Sequence, residues 1–223
     1  LEQFAETFGP CGFRREAFYP CFGLAEATLI VSGGYVKEPP KIRLFSASAL
    51  ANGQVVPLSA ESEPSRRLVS CGPAVPDVEI AIADPDTMTR CAAGQVGEIW
   101  ASGPSIAQGY WRQPEATKAT FHAHLADTRE GPFLRTGDLG FLCDGELFVA
   151  GRLKDVIIVH GLNHYPHDIE LTVEKSHVQL RPGCGAAFTV EYGSEELLVV
   201  VQEVKRGTSQ SDMPAILTAI RRA

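Results

Sequence analysis

The sequence predicts an α+β fold: a small, distorted β-barrel-like subdomain with a flanking helix, followed by a second α+β unit. Three observations predict it. Short alternating segments crowd residues 68–149 and are separated by Gly and Pro turns, the pattern of small antiparallel sheets. One clear helix start interrupts them at Pro114. After Asp155 the pattern changes to strand, helix, two strands and helix. A domain boundary is therefore expected there, with residues 1–154 before it (the barrel over about 40–154) and residues 155–223 after it.

Taken in order, FAETF is a short apolar-periodic piece that reads as a helix end, and AFYP is extended before Pro20. Residues 40–66 read as irregular, because Pro39-Pro40, Asn52-Gly53 and the run SAESEPS mark turns and loops. Val78–Ile82, Gly97–Ala101 and Glu146–Ala150 read as strands. Asp84-Pro85-Asp86 and Ala93-Gly94-Gln95 read as the turns between them. Pro114 suits a first helical turn, where its missing N–H would be unpaired anyway, and Glu115 suits the dipole there. Beyond Asp155, Val156–Val159 is a strand, Gly161 a turn and Pro166 a helix start. Strands follow around Gly185–Glu191 and Glu196–Glu203, and a last helix from about Asp212.

Composition narrows the function. With 44% hydrophobic residues in 223, the chain has material for a sizeable core. Its net charge of −7 argues against nonspecific nucleic-acid binding. No apolar run approaches the roughly 18 residues a membrane span needs. The N-terminus has no signal-peptide plan and no initiator Met, so the chain is expected to begin within a longer protein. Six cysteines stand far apart without a CxxC pair, which offers no zinc framework. Reduced thiols in a cytoplasmic protein are expected, with a disulfide set as the alternative.

The densest information lies in Phe133–Asp168. An acidic turn (Thr136-Gly137-Asp138), a hairpin (Cys143-Asp144-Gly145-Glu146) and the step Gly151-Arg152-Leu153-Lys154-Asp155 follow one another. An ionised Asp138 has only acceptor lone pairs and suits a pair of sugar hydroxyls. Arg152 and Lys154 are cations that can meet phosphate or carboxylate oxygen. Upstream, CFGLAEAT sets Gly23 in a turn between Phe22 and Glu26. Phe22 has a flat apolar face for a purine, and Glu26 is a hard oxygen ligand for Mg2+ on a triphosphate. Each has an ordinary reading as well: Asp138 as an exposed turn acid, Arg152 as a surface strand residue, Lys154 and Asp155 as a solvated charge pair. His164 and His167 are three apart, but Pro166 interrupts the geometry, so a helix start is preferred to a metal site. Ser32 and Ser70 have no His–Asp constellation beside them.

In this order the motifs resemble the adenylate-forming enzymes, the superfamily of acyl-CoA ligases, luciferases and peptide-synthetase adenylation domains. The resemblance implies that Phe22 and Gly23 lie beside adenine and that Glu26 helps hold Mg-ATP. It implies that Asp138 and Arg152 take the ribose and neighbouring phosphate, that Lys154 is catalytic and that Asp155 is a hinge. Relatives usually carry Tyr where Phe22 stands. GEIWASGPSIAQGYW (Gly97–Trp111) also resembles the family, but its side chains read as structural. GLAEATLIVSGG, LVSCGPAVPDVEI and NHYPHDIE resemble the fatty acyl-AMP ligases, although Leu162 stands where Arg is common.

The long connection before Ser70 matches an insertion of that branch, placed at Ile42–Arg67, with an ordinary surface loop as the alternative. As the insertion, its Leu44, Phe45, Val55, Val56 and Leu58 should pack on the barrel and reach the second domain or its hinge, disfavouring coenzyme A. ATP and Mg2+ are then the implied cofactors. A fatty acid and an acyl carrier protein, or a polyketide synthase or peptide synthetase, are the implied partners. The family's phosphate loop and C-terminal Lys would fall outside residues 1–223, so a piece lacking both ends is expected. A long-chain acyl-CoA ligase and a non-catalytic nucleotide-binding or interaction module are the other readings.

Overall fold

The computed structural model describes residues 1–60, 64–159, 162–192 and 195–223. They form two compact units, Leu1–Leu153 and Lys154–Ala223. Both mix helices with small open sheets; among the described residues no sheet closes on itself, so the barrel-like expectation is met by separate open sheets.

The first unit begins with α1 (Glu2–Phe8), then the two-residue strands β1 (Cys21–Phe22) and β2 (Ser32–Gly33), which pair antiparallel. Next come β3 (Ile42–Ser46), α2 (Ala47–Ala51), β4 (Pro57–Leu58) and β5 (Ser65–Val69). These strands form a sheet of order β4-β3-β5, so the irregular reading of residues 40–66 is corrected. Its pairing joins residues far apart in sequence, such as Ile42 with Val69, and no local turn signal announces that. Ser46 caps α2, accepting the Ala49 N–H at 3.3 Å. Glu61, Ser62 and Glu63 of the SAESEPS run lie outside the described residues.

The principal sheet is an antiparallel meander of β6 (Glu79–Ala83), β7 (Gly97–Ser102), β8 (Leu134–Cys143) and β9 (Glu146–Arg152), with α3 (Pro114–Phe121) between β7 and β8. Gly97–Ala101 is buried at every position, which marks β7 as central. The β8–β9 turn is Asp144-Gly145, both with positive φ (52° and 78°), as a two-residue hairpin of matching twist requires. The Thr136-Gly137-Asp138 turn is instead an irregularity inside one ten-residue strand.

The smaller sheet packs on the larger one. Phe45, Leu50 and Leu68 form one buried cluster with Phe141 and Phe148. Arg43 reaches Asp144 at 2.6 Å, Lys41 pairs with Glu146, and Arg66 donates to the Ala150 carbonyl at 2.7 Å. Of the five apolar residues expected to anchor this segment, Phe45 is fully buried and Val55 packs on the cluster. Val56 is exposed and contributes no anchor.

The second unit contains a hairpin of β10 (Ile157–Val159) and β11 (Leu162–His164), then α4 (Pro166–Ser176), β12 (Leu180–Tyr192), β13 (Glu195–Val204) and α5 (Met213–Arg222). Val173, Leu180 and Ile216 form its core, flanked by Ile169, Val200, Val204, Met213 and Ile220. Gly161, expected in a turn, lies outside the described residues. All six cysteines are free, and burial pushes the Cys71 thiol up to about 11. Among the described residues no helix is long and apolar enough to cross a membrane.

Candidate active site

Phe22, Gly23 and Glu26 share one tight loop that returns on itself, the Val31 N–H bonding the Phe22 carbonyl at 2.9 Å. Gly23 is required by close approach: a Cβ there would fall onto the Leu29 carbonyl. Glu26 sits on a single 3-10 turn, Ala25–Ala27. Thr28 and Leu29 then hold φ of 56° and 85°, a left-handed backbone that costs on the order of 1–3 kcal/mol per residue. The Thr28 hydroxyl on the Ser105 carbonyl (2.7 Å) and the Ala107 N–H on the Glu26 carbonyl (2.8 Å) help to offset that cost.

These bonds dock the loop on the segment after β7. There the Tyr110 hydroxyl donates to Glu26 Oε1 at 2.7 Å. That bond, then burial, raises the Tyr110 pKa, because ionisation would set a phenolate against a carboxylate. Reading Gly97–Trp111 as structural only thus missed Tyr110. Its signal was a polar-tipped aromatic in an otherwise small-residue segment, and only the tertiary contact gives that a partner.

Phe22 is a core residue. Its ring joins Ile80, Ile99, Ala101, Leu134 and Leu147 in a buried cluster and is 9% exposed. Packing is thus its evident task, and little of the ring is open to a purine. The same cluster seats the loop on the sheet that carries Asp138 and Arg152.

Asp138 and Arg152 are brought together. They face each other across β8 and β9, with Arg152 Nε to Asp138 Oδ1 at 3.2 Å. The Asp138 side chain is mostly buried and that of Arg152 is exposed. Behind them lies a network that the sequence did not reveal. Glu98, on the central strand, is 1% exposed. Its Oε2 accepts from Trp100 Nε1 at 2.9 Å and Arg135 Nε at 2.9 Å. A second Arg135 nitrogen approaches Oε2 at 2.7 Å. Oε1 accepts the Gly137 N–H at 3.1 Å. The Thr136 hydroxyl donates to the Ile99 carbonyl at 2.7 Å and accepts the Asp138 N–H at 3.1 Å. No catalytic signature distinguishes Glu98 in sequence, since an acid in a GEIWAS strand is equally at home on a solvated face.

Lys154 and Asp155 belong to the second unit, exposed on the 3-10 turn Leu153–Asp155. They line a concavity with Ile157, Pro166, Glu170 and Phe188.

Glu26 is also the residue to test against a divalent cation. No set of three or more His, Cys, Asp or Glu among the described residues could hold a metal. A cation here would take one carboxylate oxygen from Glu26 and the rest from phosphate and water. Mg2+ fits that donor set, because it keeps several waters and binds through one or two carboxylates plus substrate phosphates.

Comparison with known proteins bears on this arrangement. Residues 1–111 match the family described as AMP-binding enzyme, and residues 154–222 match the AMP domain of the Disco-interacting protein 2-like family. The medium-chain-fatty-acid–[acyl-carrier-protein] ligase JamA of Moorena producens is 54% identical over all of this chain and 38% of its own length. The chain belongs to the AMP-binding, adenylate-forming enzymes.

Within that family, the corresponding ligase TtuA of Teredinibacter turnerae is 39% identical over 92% of this chain and 33% of its own length. A structure from work on the fatty acyl-adenylate ligases of E. coli and L. pneumophila superposes with a TM-score of 0.82 at 31% identity, over 98% of this chain and 38% of that one. The L. pneumophila fatty acyl-adenylate ligase in complex with acyl adenylate and pyrophosphate gives 0.66 at 42%, with the same coverage. The chain thus spans between a third and two fifths of the length of these relatives.

Proposed function

We propose that this chain is part of a fatty acyl-AMP ligase that activates a fatty acid with ATP and passes the acyl group to an acyl carrier protein. The observation that carries this reading is the Asp138–Arg152 pair across β8 and β9, in a chain 54% identical to a protein named as a medium-chain-fatty-acid–[acyl-carrier-protein] ligase. A carboxylate oxygen of the fatty acid attacks the α-phosphorus of ATP. The bond to the bridging oxygen breaks and pyrophosphate leaves, giving the mixed anhydride acyl-AMP. A pantetheine thiolate of the carrier protein then attacks the acyl carbonyl and AMP departs. A polyketide synthase or peptide synthetase would supply that carrier, and the cytoplasm, with its reduced thiols, is the compartment this reading implies.

The protein's share is positioning and charge neutralisation. In this reading Asp138 accepts the ribose hydroxyls, and Arg152 steadies Asp138 while offering its free N–H groups to ribose or phosphate oxygen. Gly23 lets the loop close beside adenine, and Phe22, packed in the core, supports that loop. Glu26, oriented by Tyr110, would hold Mg2+, which would neutralise charge on the triphosphate. Lys154 meets the reacting carboxylate or phosphate oxygen, and the second unit turns at Asp155 between the two half-reactions. The test is fatty-acid-dependent ATP–pyrophosphate exchange by the intact protein, with Asp138→Ala expected to lower it at least about tenfold. A smaller loss counts against the ribose assignment.

One observation favours a second reading. A Mycobacterium tuberculosis protein named as a putative fatty-acid–CoA ligase, fadD25, is 40% identical over the whole chain. Product analysis with coenzyme A and with holo-carrier protein separates the two: released acyl-AMP with little acyl-CoA supports the first, efficient acyl-CoA formation the second.

A further inference from the structure

We propose that Glu98 is a positioning residue for nucleotide recognition, acting through the Thr136-Gly137-Asp138 bulge to set the reach of Asp138; this rests on the ribose reading of Asp138. β7 is buried from Gly97 to Ala101, and a carboxylate there is tolerated only if it is fully paired. Glu98 is paired, and apart from Trp100 its side-chain partners lie on the stretch of β8 that leads to Asp138.

The register explains why that stretch needs help. Glu98 opposes Leu139 and Trp100 opposes Arg135, so a two-residue step on β7 faces a four-residue step on β8. Thr136-Gly137-Asp138 fill that step opposite Ile99 alone, a surplus of two residues, with Gly137 at a φ of 73°. Surplus residues in a bulge lose their ladder partners and leave N–H groups to be satisfied otherwise. Here Glu98 Oε1 takes the Gly137 N–H and the Thr136 hydroxyl takes that of Asp138. Arg135, at the entrance to the bulge, is held by Glu98 Oε2, and its guanidinium lies 5.7 Å from the Trp100 ring centroid. The bulge is therefore clamped at its entrance and its middle, and Asp138 emerges from it directly opposite Arg152.

The test is the ATP dependence of pyrophosphate exchange by the intact protein, read with ATP and with 3′-deoxy-ATP and 2′-deoxy-ATP. Glu98→Gln keeps the shape and an acceptor but turns an amide toward Arg135. Its kcat/KM for ATP is expected to fall at least about tenfold while that for a deoxy analogue falls only about threefold or less, because a hydroxyl that is absent cannot be misaligned. KM for the fatty acid should stay within about twofold. Equal losses on ATP and both analogues, with a lowered melting temperature, overturn the proposal and leave Glu98 a stabilising residue only. A wild type that does not discriminate the analogues, together with an Asp138→Ala variant that matches it, overturns the ribose reading itself. Should Glu98→Gln fail to fold, Thr136→Val decides by the same criterion. It removes the hydroxyl under Asp138 without stranding a charge, and Thr136→Ser is expected to restore discrimination.

Discussion

Truncating Phe45 to Ala tests whether the Ile42–Arg67 segment is built into the first unit or merely lies over it. Phe45 is fully buried. Its ring meets Phe141 and Phe148 edge-on, at centroid distances of 5.0 and 5.2 Å and interplanar angles of 76° and 71°. The latter two rings stack on each other at 5.5 Å and 11°. Removing a buried Phe costs on the order of 3–5 kcal/mol, transfer and cavity together. The lost edge-to-face contacts, about 0.5–1.5 kcal/mol each, place this site toward the upper end. For a unit of this size that is a melting-temperature drop of roughly 6–20 °C. Val56, 45% exposed on the same segment, is the internal control, and Val56→Ala should stay within about 0.5 kcal/mol. Urea denaturation of the intact protein, followed by tryptophan fluorescence, reads the difference; Trp100 is fully buried in this unit. A cost below about 1.5 kcal/mol for Phe45→Ala would refute the anchoring, because only an easily collapsed or peripheral site behaves so. A Phe45→Leu/Phe141→Leu double-mutant cycle should show coupling, since the two rings touch.

Gly23→Ala should abolish nucleotide-dependent exchange, since the Leu29 carbonyl occupies the space of its methyl, whereas Gly9→Ala, with open space around it, should be silent; exchange rates and melting curves on both variants decide. Glu146 has its pKa lowered: burial works against that, but Lys41, Ser70 and Arg43 outweigh it. A depressed carboxylate contributes stability that is present above its unfolded value, near 4.5, and is lost as pH falls through the folded value. Urea midpoints should therefore fall more steeply for wild type than for Glu146→Gln below about pH 4.5, and parallel slopes would contradict this. For Tyr110 the raised pKa means that its contact with Glu26 persists up to the ordinary tyrosine range and is lost as pH rises through the folded value. Absorbance titration of tyrosinate should show one late-titrating group that Glu26→Gln brings back toward the others. Tyr110→Phe should weaken Mg2+-dependent exchange about tenfold or more, roughly what one lost charge-assisted hydrogen bond gives, and an unchanged Mg2+ dependence would dissociate Tyr110 from the site.

The sequence by itself determined what local chemistry controls. Asp144-Gly145 specifies a hairpin because both positions accept positive φ, and the hairpin is there. Pro114 and Pro166 open α3 and α4, where a missing N–H costs nothing. The pattern changes at Asp155, and the two compact units divide between Leu153 and Lys154. The order of CFGLAEAT, Thr136-Gly137-Asp138 and the Gly-Arg-Leu-Lys-Asp step sufficed for the family, because a nucleotide site reuses the same residue types in the same sequence of elements.

Only the tertiary structure decided the rest. Residues 40–66 looked irregular because their strands pair with distant partners, and a run such as Ile42–Ser46 acquires its strand only by pairing with Ser65–Val69. Thr136-Gly137-Asp138 read as a turn because glycine and aspartate favour turns; the flanking strand pairs hold it in extended β8 as a bulge. Phe22 looked like an open stacking face, yet its burial is set by Ile80, Ile99, Leu134 and Leu147 from four other strands. Glu98 and Tyr110 were silent for the same reason. A carboxylate or a phenol acquires a role from what faces it, and what faces it is fixed by register and packing between residues dozens of positions apart.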